Sequence, residues 1–181
     1  MKKKSLYIFA GITILLLISI KSKAMTLNLK FTKFKSPVVD KLKMIYPLLI
    51  KAGFTTNFLI KAGLAQLLLE TGRFKARWSI LNNNYSGIKW INKPYQKNSS
   101  QGQLSPEGNF YAKFDTPQDW ANDYFRILSL QRKSNKIGRP IDALTIADFN
   151  EKLFANGYYN QTLEAKKNYL KNLQYFYDSI D

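Results

Sequence analysis

The chain has no cysteine and no histidine, and only 12 of its 181 residues are acidic. Without cysteine it must fold without disulfides. The two absences together exclude cysteine nucleophiles, Ser-His-Asp triads and the usual zinc sites. Any proton chemistry therefore falls to Asp, Glu, Lys or Tyr. The acids are outnumbered by 28 Lys and Arg, for a formal charge of +16. Such a balance favours anionic partners or simply keeps the protein soluble. The basic residues are scattered, with no arginine-rich stripe, so nucleic-acid recognition is not expected. Hydrophobic content of 45% and aromatic content of 14% are ample for one folded domain with a real core.

Residues 1–24 stand apart. A basic start leads into an apolar run from Leu6 to Ile20, and small residues follow at Ser22 and Ala24. The pattern reads as a signal peptide cleaved after Ala24. The alternative is a retained N-terminal membrane anchor through residues 5–20, although the run is short for a span of ~20 residues. Either way the remainder is expected to be exported, to the periplasm or to the extracellular cell wall. Cleavage would remove five lysines and no acid, leaving +11.

Residues 25–35 read as a short basic linker or arm, and residues 36–181 as one mainly helical domain with a small β-hairpin in its middle. Ser36-Pro37 marks a helix start, Pro47 falls inside the helix, and Gly53 ends it. Thr55 or Thr56 caps a second helix, with Phe58, Ala62, Ala65 and Leu69 on one face. Gln66 and Glu70, four apart, share another. An Asn-rich loop at 82–84 leads to a possible strand over 87–92. "NFYAKF" alternates Phe110, Ala112 and Phe114 inward against Tyr111 and Lys113, and "SPEG" before it supplies turn chemistry. Thr116-Pro117 to Asp119 and Thr145 to Asp148 are capping boxes. A final helix runs over about 163–179 with Tyr169, Leu173 and Phe176 inward.

With so few acids, each can be assigned. Asp119 and Asp148 belong to capping boxes; Asp123, Glu151 and Glu164 lie on helices and are expected to face solvent. Asp40 sits in a favourable first turn. Asp115 and Asp142 read as structural or loop residues, and Asp178 and Asp181 lie in the tail. Glu70 and Glu107 remain. Glu70 ends an apolar helix, where the exposed carbonyls disfavour a carboxylate and push it toward its proton-donating form. It is either a solvated helix-end acid or a general acid, and a pair of carboxylates across a cleft is what most glycosidases need. Ser86-x-x-Lys89 matches one motif of penicillin-binding enzymes, but no S-D-N or K-T-G accompanies it and the serine opens no helix.

"AQLLLETGRF" (65–74) followed by "NNNYSGIKW" (82–90) resembles the glucosaminidase family of bacterial peptidoglycan hydrolases, whose pattern is A-Q-x-x-L-E-[ST]-G, then N-N-x-[FY]-x-G-[IM]-K. "YAKFDTPQDWANDYFRIL", "ANGYYN" and "NYLKNL" are similar to its later segments, in the same order, so the likeness spans about residues 40–176. Gly72-Arg73-Phe74 departs from the family's frequent Gly-Trp-Gly. The resemblance implies a lysozyme-like fold and cleavage of the β-1,4 bond after N-acetylglucosamine by a monomer acting on peptidoglycan strands, with no metal or cofactor. It implies that Glu70 is the general acid, that Tyr158 lines the site and holds the acetamido group, and that Asn83 and Gly87 form its loop. Gln66 is placed beside them in the substrate site. Glu107 is the only Glu where the family places its second acid; it activates water, or the substrate's acetamido group attacks instead. Tyr85 and Trp90 either stack on sugar rings or pack in the core.

Overall fold

The computed structural model describes residues 29–131, 136–159 and 162–181. The signal peptide or anchor expected over 1–24, and residues 25–28 of the arm, lie outside the described residues. The rest of the arm is not a free linker. Lys30 N–H donates to the Asp181 carbonyl (2.7 Å) and Asp181 N–H returns a bond to Lys30 (2.9 Å), while Leu29, Phe31 and Phe34 pack on the core. Apolar residues interleaved with the lysines supply the reason.

The first helix, α1 (Ser36–Ala52), starts one residue before the sequence reading, with Lys35 at the cap. Ser36 is already helical, and its hydroxyl donates to Asp40 (3.3 Å). Pro37 occupies the first turn, where its missing N–H costs nothing. Gly53 ends the helix at φ +122°, and a Cβ there would lie 2.7 Å from the Phe125 ring.

Helix α2 (Asn57–Glu70) is capped by Thr56, whose hydroxyl accepts the Leu59 N–H (3.1 Å). The single apolar face expected for it is not what forms. Leu59, Ile60, Ala62 to Leu68 are all buried, so the helix is enclosed on every side. A helix apolar all round belongs at the centre of a domain, where no face is left for solvent. It packs against the last helix, α6 (Leu163–Ser179), which also carries α5 (Ile146–Ala155); α1 packs against α4 (Pro117–Leu128).

Between α2 and α4 come a short α3 (Arg77–Leu81) and an antiparallel hairpin, β1 (Ser99–Leu104) and β2 (Phe110–Phe114), with Ser99 opposite Phe114. The segment expected as a strand over 87–92 forms one bridge, Lys89 to Tyr111, flanked by Ala112 N–H to Ile88 (2.8 Å) and Trp90 N–H to Phe110 (2.8 Å). It thus lies along the other edge of β2. Tyr111, Ala112 and Phe114 are buried, and Phe110 is exposed. The expected alternation fails because Trp78 stacks on Tyr111 (4.8 Å between ring centroids) and covers the second face too.

Thr116 and Asp119 form the full capping box of α4. At α5, Thr145 accepts the Asp148 N–H, but the Asp148 carboxylate reaches Leu144 N–H and Lys152 instead of closing the box. Asp123 does not face solvent as expected. It is fully buried, accepts the Asn98 N–H and pairs with Arg126, which anchors the hairpin's entry to α4.

Candidate active site

The end of α2 builds the site. Gly72 takes the left-handed conformation (φ +56°), and Arg73 and Phe74 follow at +61° and +62°. Two non-glycine residues in that region cost ~1–2 kcal/mol each. The turn is held by bonds to the last carbonyls of the helix: Thr71 hydroxyl to Leu67 (2.6 Å), Arg73 N–H to Leu68 (2.9 Å) and Gly72 N–H to Leu69 (3.3 Å). Phe74 N–H donates to the Thr71 hydroxyl (2.8 Å). The helix is therefore finished by its backbone and by Thr71, and Glu70 is left free to serve a cleft.

That cleft has a volume of about 630 Å³. Glu70, Ser86, Gly87, Lys89 and Tyr158 line its polar part, and Ile91, Tyr95, Ile127, Leu130 and Pro140 its apolar part. Gly87 sits at φ +65°, and a Cβ there would lie 3.1 Å from Trp78 and 3.8 Å from Glu70 Oε2. Glycine takes this left-handed backbone without strain, and any side chain there would press on Trp78.

Burial pushes the Glu70 carboxyl up from 4.5 to about 7, against a hydrogen bond from the Tyr169 hydroxyl to Oε1 (2.5 Å) and the positive charge of Lys89. Desolvation of the charged form is the largest of the three effects, and one donor and one lysine do not make up for the lost water. Near neutral pH the group is thus part protonated, which suits an acid that must give and regain a proton. Tyr158 donates its hydroxyl hydrogen to the Ser86 carbonyl (3.1 Å), and burial raises its pKa well above 10, so it stays neutral.

The residues expected at the site are placed unevenly. Glu70, Gly87 and Tyr158 share the cleft wall. Gln66 does not reach it: the side chain is fully buried, with its amide taken by Tyr124 and Tyr169. An enclosed helix gives i and i+4 positions different surroundings when the second lies at its end. Tyr85 is also a core residue, 4% exposed and edge-on to Trp120 (5.0 Å) and Phe74. Its ring cannot stack on a sugar because both neighbours enclose it. Asn83 (φ +48°) donates to the carbonyls of Phe114 (3.1 Å) and Asp115 (3.3 Å), tying the loop to the end of β2. Trp90 is half-buried against the core and is not among the cleft-lining residues.

Glu107 sits on the exposed turn between β1 and β2 and is absent from the cleft lining. Its carboxylate accepts from Lys89 Nζ (2.9 Å), and this bond, with one from Ser105, lowers its pKa to about 2. Lys89 also lies over the Tyr111 ring (3.9 Å). The Ser86 and Lys89 pair forms no nucleophile: the serine hydroxyl is buried and accepts from Trp120 Nε1 (2.9 Å), and the lysine turns to Glu107. Among the described residues no group of three or more acids gathers in a way that could hold a metal.

Tyr169 reads from the sequence as packing, as an inward tyrosine on an amphipathic helix does, and only the fold brings it to Glu70. Its signal was the Asn-Tyr-x-x-x-Leu element at 168–173. Lys89 carried a signal as the last residue of the loop pattern.

No protein-family model matches the chain, and none of the curated proteins does. Among solved structures, it is similar to the catalytic domain of the autolysin Auto from Listeria monocytogenes: TM-score 0.54, 17% identity, over 81% of this chain and 87% of that one. A second similar structure is a type VI secretion system effector-immunity complex from Pseudomonas protegens (TM-score 0.45, 16% identity, 78% of this chain and 92% of that one). The likeness to the autolysin domain is one of fold. The chain has a mainly α, lysozyme-like fold with a small β-hairpin, as the sequence reading expects.

Proposed function

We propose that this chain is an exported peptidoglycan hydrolase that cleaves the β-1,4 bond after N-acetylglucosamine, with Glu70 as general acid. The observation that carries the reading is a carboxyl raised to about 7 on the wall of a cleft, at the end of the most buried helix. A protein that only bound the wall would gain nothing from an acid held there. Protonated Glu70 would give its hydrogen to the leaving glycosidic oxygen as the bond to the anomeric carbon breaks.

For the other face of the sugar we favour attack by the substrate's own acetamido oxygen, since Glu70 is the only acid among the cleft-lining residues. The cyclic intermediate is then opened by water, whose proton returns to Glu70, and the product keeps its configuration. Tyr158 has committed its hydrogen to Ser86, so its oxygen is available to accept the acetamido N–H. The alternative, with Glu107 as base, needs the hairpin turn to bring that carboxylate over the cleft. A lytic transglycosylase would also need only one acid, and would leave an anhydro sugar end. If cleavage removes residues 1–24, a mature charge of +11 would hold the enzyme on an anionic wall, less firmly as salt rises.

Mass spectrometry of muropeptides released from purified sacculi tests the reading. Fragments with a reducing N-acetylglucosamine end are expected. Anhydro ends would replace hydrolysis by transglycosylation, and intact sacculi would sink both.

A further inference from the structure

Glu70 is the end of a chain of hydrogen bonds that starts deep in the core. The Tyr124 hydroxyl donates to Gln66 Oε1 (2.6 Å), Gln66 Nε2–H donates to the Tyr169 oxygen (3.1 Å), and the Tyr169 hydroxyl donates to Glu70 Oε1 (2.5 Å). Tyr124 and Gln66 are fully buried. They come from α4 and α2, and Tyr169 from α6, so three elements meet in this one relay.

The chain has two possible senses. In the first, every hydrogen points toward Glu70. In the second, the Gln66 amide is turned over, Tyr169 donates to Gln66, and the Glu70 hydrogen sits on Oε1 and points at Tyr169, away from the cleft. What chooses between them is Tyr124. Among the described residues, its hydroxyl has one hydrogen-bond partner, Gln66. A buried O–H must be used, so Gln66 has to present its oxygen to Tyr124. Its N–H then faces Tyr169, and the single Tyr169 hydrogen has nowhere to go but Glu70 Oε1.

We propose that Tyr124 and Gln66 are positioning residues that place the acid hydrogen of Glu70 on Oε2, the oxygen beside Gly87 and the cleft. This rests on the functional reading above and deepens it: a general acid must have its hydrogen on the oxygen that meets the substrate. Pointing the other way, the same carboxyl would be protonated and useless. The groups that face Glu70 are Tyr169 from α6, Tyr158 from the turn after α5, Tyr124 from α4 and Lys89 from the loop edge of β2. All three tyrosines are held neutral by burial, so Lys89 is the one charge among them.

Tyr124→Phe tests the proposal, because it keeps the ring between Phe54 and Trp120 and removes one oxygen far from the substrate. Gln66 is then free to turn over. On peptidoglycan, kcat should fall about tenfold or more with KM within about twofold. The alkaline limb of the pH profile should move up, since ionised Glu70 loses part of its Tyr169 donor. Gln66→Met removes the acceptor to which the Tyr169 hydrogen would otherwise turn, so Tyr124→Phe should cost nothing further on that background, because Tyr124 acts only through Gln66. The Glu70 titration, followed by carboxyl ¹³C NMR in the wild type and in Tyr124→Phe, needs no activity and should show the same upward shift. A lower melting temperature with kcat and the Glu70 titration unchanged would overturn the relay, as would additive losses in the double variant. A wild-type protein that leaves peptidoglycan intact would refute the function, and the titration would still decide the relay.

Discussion

Glu70 and Glu107 are the same side chain in opposite surroundings. One ends a helix buried on all sides and is raised to about 7; the other rides an exposed turn beside a lysine and is lowered to about 2. Both feel Lys89, and for both its charge favours the ionised form. The same cation therefore cannot explain the difference. Water does: at Glu70 its loss outweighs the lysine, and at Glu107 there is almost no such loss to offset the ion pair. A fixed, desolvated acid and an exposed, ionised carboxylate are suited to different work, and each can be altered separately.

The largest effect should come from Glu70→Gln. Hydrolysis should fall by on the order of 10³ or more, since the amide cannot donate a proton as an acid does. Stability should move the other way. A carboxyl whose folded pKa is raised stabilises the fold below its unfolded value near 4.5, and that contribution is lost as pH rises through about 7. At pH 8 the amide should therefore be the more stable form, by on the order of 2–3 kcal/mol at most. Urea melts at pH 4 and pH 8 check this; equal differences at both values would mean that Glu70 is not desolvated.

Tyr158→Phe should come next, with kcat reduced roughly ten- to a hundredfold for a lost contact to the reacting acetamido group. A large drop in melting temperature with unchanged activity per folded molecule would make Tyr158 a packing residue. Glu107→Gln should cost less than about tenfold if the acetamido group attacks, and NMR of fresh product should show retained configuration. A loss of several orders of magnitude with inverted product would bring Glu107 into the chemistry. The smallest effect should be that of Lys89→Met. Removing the cation should move the alkaline limb set by Glu70 up by roughly a few tenths of a pH unit, and should let the Glu107 pKa rise toward the ordinary range. A downward shift of the Glu70 limb would contradict the electrostatics described here.

What could be read from the sequence was what is decided locally. Thr116-Pro117-Asp119 and Gly53 act within a few residues, and each appears where the pattern puts it; of Thr55 and Thr56, Thr56 is the cap. The place of Glu70 at a helix end is legible for the same reason. The helix before it shows no single face because a segment surrounded by protein has no preferred one, and periodicity then carries no direction. The four-residue spacing from Glu70 points Gln66 toward the substrate. It instead bonds Tyr124 and Tyr169, at 58 and 103 residues' distance. Asp123 reads as solvent-facing from its helix position, and the local sign of its buried pair is Arg126, three residues on. Tyr85 and Trp90 could stack on a sugar or on protein, and only the fold tells which.

The bond pair between Lys30 and Asp181 matters for how force would travel. If residues 5–20 hold the protein in a membrane, any pull from that side meets these two bonds before it meets a helix. They pass the load to the C-terminal end of α6, the helix that carries Tyr169 ten residues before its end at Ser179. A helix is stiff along its axis, so tension at the arm would be felt as strain where the Tyr169 hydroxyl touches Glu70. With such a tether, these two hydrogen bonds would be the first to yield.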